Sequence, residues 1–302
     1  MKRKDLINKL IGVHAYLVTP FTQKDEIDME GLIENTRFLK KKGVSIVVPG
    51  GGTGEFDSLT QQERKRVIST VIEDSRGEMV VISPVGVSLK DAIELAQYAE
   101  EEKGEFLIIR PPKMPAQDHG LFEYYIRIIK QVSLGVIIHR LPGAAASFDV
   151  IQRLANIENV VAVKDEAEDI HWFRKMADVL GDRILPICGG VAGGELDAPY
   201  YYMLGARGFS SGVVNFIPEL PLRLHEALMR GDYDTAHEIQ KKLEPIQELR
   251  SRRGRSNSIP VIKEALDLLG LRGGPVRPPL SSLVPEDKKD LREILEKLGL
   301  LQ

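Results

Sequence analysis

Between residue 13 and about residue 218, eight short runs rich in β-branched residues alternate with longer amphipathic segments. That alternation is the sequence form of repeated βα units around a parallel sheet. Strands are expected at 13–18, 45–48, 79–83, 105–110, 135–139, 160–164, 183–187 and 208–211. The segments at 29–42, 61–74, 90–102, 122–131 and 171–180 carry apolar residues three and four positions apart, the mark of a helix with one buried face. Eight such units can close on themselves, so the expected fold is α/β, a (β/α)8 TIM barrel over residues 1–218. An open doubly wound sheet is the alternative. It usually carries G-x-G-x-x-G after its first strand, and here that strand runs into TPFTQKDE. Beyond Pro218 the pattern is helical only, at 219–230, 233–252, 260–269 and 286–298. Residues 219–302 are therefore expected to form a C-terminal helical extension packed on the barrel.

Composition narrows the function classes. The chain has 302 residues, 43% of them hydrophobic and 28% charged, with a net charge of -3, which describes a globular protein with ample core and gives no support to a nucleic-acid partner. The one cysteine, Cys188, excludes an intrachain disulfide and any multi-cysteine metal cluster and fits a reducing compartment, so a cytoplasmic address is expected. The start, MKRKDLINKLIG, has too short an apolar stretch for a signal peptide, and no segment approaches the roughly 20 apolar residues of a membrane span.

In such a barrel, chemistry sits at the C-terminal ends of the strands. Strand four ends at Arg110, strand five at His139 and strand six at Lys164, while strand two runs into PGGGTGEFDSL and strand seven into Cys188-Gly-Gly. Residues two apart share a strand face, which groups Lys164 with Ala162 and Val160, and His139 with Ile137 and Gly135. Lys164 and His139 are then inward neighbours on adjacent strands. Val161, Val163, Val136 and Ile138 would face the helices. Burial is expected to lower the Lys164 pKa toward the neutral amine that attacks a carbonyl. The structural alternative is a lysine paired with a core carboxylate such as Glu55 or Glu166. Gly51, Gly52 and Thr53 offer N–H groups and a hydroxyl as a carboxylate cradle, or else form a plain tight turn. The loop at 189–194 stands where many barrels bind phosphate, or is a flexible turn. Of the six histidines only His139 closes a strand, so no metal site is expected.

Several spaced motifs now carry a resemblance: LVTPF at 17–21, GGTGEFDSLT at 51–60, the prolines after strand four, VVAVKDEAEDI around Lys164 and GFSSGVVNFIPEL at 208–220. The chain resembles the dihydrodipicolinate synthase and N-acetylneuraminate lyase family over essentially its full length, and its loops look most like the 5-dehydro-4-deoxyglucarate dehydratase branch. The resemblance implies a 2-oxo acid, pyruvate or a keto sugar acid, bound as an imine to Lys164 without a further cofactor. Its carboxylate would lie on Gly52 and Thr53, with Gly51, Gly189, Ser210, Arg110 and Lys113 also at the substrate. It also implies a homodimer or homotetramer. Three proton-relay positions depart from the family pattern, which places a tyrosine where His139 stands, a hydroxyl at Gly52 and an interface tyrosine at Lys113. Ala144 stands where synthases carry an arginine, which argues against true synthase activity. His139 can replace the tyrosine as acid and base, since an imidazole titrates near neutral pH. A Schiff-base lyase, a non-catalytic keto-acid binder and a phosphate-binding barrel enzyme remain open at this point.

Overall fold

The computed structural model describes residues 2–86, 88–112, 114–190 and 194–301. Eight parallel strands pair in sequence order: β1 (Gly12–Tyr16), β2 (Ile46–Val48), β3 (Val80–Val85), β4 (Phe106–Ile109), β5 (Gly135–Arg140), β6 (Val160–Asp165), β7 (Leu185–Cys188) and β8 (Gly208–Ser211). Strand β8 returns to β1 and closes the TIM barrel. Each strand lies within about two residues of its expected bounds, the usual uncertainty of element ends.

Helix α1 (Arg3–Lys9) precedes β1. On the outside follow α2 (Met29–Lys41), α3 (Gln61–Ser75), α4 (Leu89–Glu101), α5 (Asp118–Ile129), α6 (Phe148–Leu154), α7 (Ile170–Leu180) and α8 (Gly194–Met203). Several of their starts are fixed by side-chain caps. Thr60 accepts from the Glu63 N–H while the Glu63 carboxylate accepts from the Thr60 N–H, and Ser88, Ser147 and Asp169 cap α4, α6 and α7. Helix α9 (Glu219–Met229) packs on β1 and α8 and is by position the eighth outer helix. We propose to draw the barrel's limit after it instead of at residue 218. The extension then comprises α10 (Tyr233–Ser251), α11 (Pro260–Leu268) and α12 (Pro285–Lys297), with α10 on α8 and α9 and α12 on α10 and α11.

The sequence pattern did not mark α1, α6 or α8. Helix α1 supplies Leu6, which with Leu10 just beyond its end joins Ile46, Ile82, Phe106 and Ile137 in the core inside the barrel. The larger core lies between the strands and the outer helices.

One facing expectation is corrected. Val161 lies in the inner core beside Ala162, and Val160 in the outer one. The cause is a bulge: Val136 pairs with Val160 but Ile137 pairs with Ala162, so β6 carries one extra residue at Val161. Beyond it the alternation resumes, His139 pairs with Lys164, and both point inward.

Candidate active site

Lys164 and His139 come to the C-terminal mouth of the barrel on adjacent strands, buried to 2% and 5% exposure. The strand ends behind them are locked. The Arg140 guanidinium donates to Asp165 Oδ1 at 2.8 Å and to the Ala146 carbonyl at 3.2 Å, and it lies 3.9 Å from the Trp172 ring centroid. Tyr125 adds a bond from its hydroxyl to the His139 carbonyl at 3.3 Å.

At the amine, three groups converge. The Lys164 ammonium donates to Glu166 Oε1 and sits 4.4 Å from the centroid of the Tyr16 ring. The other carboxylate oxygen, Oε2, lies 3.1 Å from His139 Nε2, which is itself 3.3 Å from Lys164 Nζ. Glu166 thus bridges the lysine and the histidine with its two oxygens. Among the described residues His139 Nδ1 is buried with no hydrogen-bond partner. Such a group is costly to leave unpaired unless something else completes it.

Glu166 can approach this closely because of Gly189. A Cβ on that residue would stand 2.3 Å from Glu166 Cγ and 2.4 Å from the Asp165 carbonyl oxygen. Gly51 does the same for Tyr16, since its Cβ would meet the ring edge at 2.8 Å.

The electrostatics correct one expectation. Burial pulls the Lys164 ammonium down, but the Glu166 carboxylate and the Tyr16 phenol outweigh it, and the pKa stands above the ordinary lysine value. Burial pushes Glu166 up, yet Lys164 and His139 together hold it well below the carboxylate range. His139 is lowered to about 4, first by burial and then by the Lys164 charge. The resting site is therefore an ammonium–carboxylate pair beside a neutral imidazole.

Glu55, the other carboxylate considered for Lys164, is committed elsewhere. It forms a buried ion pair with Lys263 of α11 at 2.5 Å and accepts from the Arg277 N–H at 3.0 Å. These contacts hold a residue whose φ of 58° lies in the left-handed region, directly after the glycine-rich run 50–54.

The space around Lys164 is a cavity of about 320 Å³. Gly51, Gly52, Thr53, Arg110, Gly189 and Ser210 all line it. Ser210 donates to the Gly189 carbonyl, and Arg110 stacks 4.6 Å from the Phe56 centroid and faces Asp57 at 3.4 Å. Lys113 lies outside the described residues, as do residues 191–193 of the loop after β7. Among the described residues no group of three or more His, Cys, Asp or Glu could hold a metal ion, and no helix is long and apolar enough to cross a membrane.

A model of the Dihydrodipicolinate synthetase family matches residues 9–298 of this chain. The chain belongs to that family. It is 31% identical over 291 residues to a probable 5-dehydro-4-deoxyglucarate dehydratase of Acinetobacter baumannii (strain AB307-0294), with 95% of each protein covered. It is also 34% identical over 298 residues to a 4-hydroxy-tetrahydrodipicolinate synthase of Methanopyrus kandleri, covering 96% of this chain and 97% of that protein. The crystal structure of dihydrodipicolinate synthase from Oceanobacillus iheyensis matches it with a TM-score of 0.93 at 32% identity, over 98% of this chain and 99% of that one. As a member of the dihydrodipicolinate synthetase family the protein is an enzyme, a lyase.

The parts of this family member's cavity that strand-end reasoning did not mark include Tyr16 and, from the extension, Arg250, Arg255 and Ser258. Tyr16 sits in the run VHAYLV, where a tyrosine reads as one more strand-forming residue. Arg250 is tied down, donating to Gln247 Oε1 at 2.7 Å and to the Ser258 carbonyl and hydroxyl at 3.0 and 3.2 Å. Gln247 in turn donates to the buried Glu195 of α8 at 2.8 Å. That chain joins the extension to β8, because Ser211 donates to the same carboxylate.

Proposed function

We propose that the protein is a lyase in which Lys164 condenses with the ketone of a 2-oxo acid, with Lys164 as the catalytic amine and His139 and Glu166 beside its nitrogen. The observation that carries this reading is an amine buried at the end of β6, inside a closed-in cavity, with a carboxylate and an imidazole at its nitrogen. The ammonium gives up a proton and the free amine adds to C2. The carbinolamine hydroxyl then takes up a proton and leaves as water, forming the protonated imine. Its positive nitrogen accepts the electron pair of a bond broken at C3: C–H in dehydration, C–C in aldol cleavage.

The substrate carboxylate rests on the N–H groups of Gly52 and Thr53, with Gly51, Gly189, Ser210 and Arg110 completing the binding surface. Ala144, which is buried, stands where synthases of the family carry an arginine, and this counts against the substrate of a true synthase. The name of the Acinetobacter relative points the same way. A homodimer or homotetramer is the assembly we expect, by family.

Borohydride reduction in the presence of pyruvate or a keto sugar acid should add the corresponding mass to Lys164, read by peptide mass spectrometry. Absence of any adduct across a panel of 2-oxo acids would remove the imine. Adducts together with no release of product from any of them would leave the protein a binder.

A further inference from the structure

Within the imine reading just given, on which this step rests, two side chains could move protons at the Lys164 nitrogen. Nothing so far decides between them. We infer that Glu166 is the acid–base residue of this site, and that His139 acts as its positioning partner.

The geometry separates their roles. Glu166 Oε1 accepts directly from Lys164 Nζ, the atom that must lose a proton before it can attack. His139 Nε2 faces Glu166 Oε2 at 3.1 Å, and a carboxylate oxygen there requires the imidazole to present its N–H. With Nε2 donating to Glu166, the histidine has no lone pair left for the lysine at 3.3 Å. Its other nitrogen, Nδ1, is buried without a partner among the described residues. A neutral imidazole held this way fixes the carboxylate's orientation and takes no proton from the amine.

The energetics favour transfer within the pair. A charged pair and a neutral pair differ by one proton shared between Nζ and Oε1. Moving it removes both charges from a buried site, where desolvation opposes each of them. Glu166 is held low mainly by the lysine charge acting against burial. Once Lys164 is neutral that charge is gone, burial is left pushing the carboxyl up, and the proton stays on Glu166. The protonated carboxyl then returns the proton to the carbinolamine hydroxyl, which leaves as water. The regenerated carboxylate next takes a proton from C3, giving the enamine, and the protonated carboxyl returns that proton to C3 or exchanges it with solvent. Glu166 stands two residues past Lys164, at the mouth of the barrel, where Gly189 leaves the space it occupies.

Pyruvate tests this, because its methyl protons are the C3 protons. The full-length protein and its Glu166→Gln, Glu166→Asp and His139→Gln variants would be incubated with pyruvate in D2O. Methyl exchange would be followed by NMR and the borohydride-trapped Lys164 fraction measured in parallel. We expect Glu166→Gln to keep a trappable imine but to lose exchange per imine by about 100-fold or more, the size of a lost general acid–base group. Glu166→Asp should restore part of it, and His139→Gln should fall between the parent and Glu166→Gln. Exchange per imine at the parent rate in Glu166→Gln, or a larger loss in His139→Gln than in Glu166→Gln, overturns the assignment. No adduct on the parent protein with pyruvate or any other 2-oxo acid removes the imine reading itself, and Glu166's role with it.

Discussion

The amine of Lys164 is set by its neighbours more than by its burial. Reading the strand alone gives a desolvated lysine with a lowered pKa; the carboxylate two residues on reverses the sign. That carboxylate depends in turn on Gly189. Gly189→Ala should lower turnover by at least about 10-fold and destabilise the fold by about 1–3 kcal/mol, since the new methyl meets the Asp165 carbonyl, which is backbone and cannot step aside. Parent-like kinetics and an unchanged denaturation midpoint in this variant would show that Glu166 does not need the position it occupies. His139→Ala is expected to slow turnover by less than Glu166→Gln does, because it removes a hydrogen bond to the carboxylate and leaves the carboxylate in place. Steady-state rates of the two variants at one pH decide this.

Among elements, the strands were legible because their polar ends stand out against apolar runs: Arg110, His139 and Lys164 each close one. The bulge in β6 was not. Residues 160–163 read Val-Val-Ala-Val, so alternation carries no phase there, and only the pairing with β5 shows which valine turns inward. Helices α6 and α8 were missed for related reasons, the first spanning only 7 residues and the second containing Pro199. The contribution of the extension to the cavity has no local signal at all. Arg250, Arg255 and Ser258 are far from any strand end in sequence, and only packing brings them to the site. The ion pair between α11 and the loop after β2 is the element-scale contact most open to test. Lys263→Met leaves the Glu55 carboxylate buried without its counter-charge and should cost about 3–5 kcal/mol in chemical denaturation. Adding Glu55→Gln to it should recover part of that loss. A single variant as stable as the parent would mean that water or rearrangement satisfies Glu55.

At the scale of the whole molecule, acid should loosen the barrel through its buried histidines. His14, inside β1 with Nε2 donating to the Leu10 carbonyl, and His139 are both lowered to about 4, chiefly by burial. An unfolded imidazole titrates near 6.5, so between about pH 6.5 and 4 the unfolded chain binds more protons at these two sites. Stability must fall as pH falls through that window, by up to about 1.4 kcal/mol per pH unit for each histidine. Asp197, pushed up to about 6 by burial and nearby carboxylates, works in the opposite sense over most of the window. His14→Gln keeps a donor for Leu10 and cannot titrate. Its melting temperature should therefore drop less than the parent's between pH 7 and pH 5, and an equal drop would rule His14 out as a source of the acid sensitivity. The contact between Glu55, Lys263 and Arg277 has a consequence for biosynthesis. The loop carrying the proposed cradle emerges from the ribosome early, but the groups that hold its left-handed residue arrive more than 200 residues later, the Glu55–Arg277 bond spanning 222 positions. A nascent chain can pair its early strands while Glu55 still lacks these partners, so the proposed cradle is expected to take its final form only after α11 and Arg277 have been made.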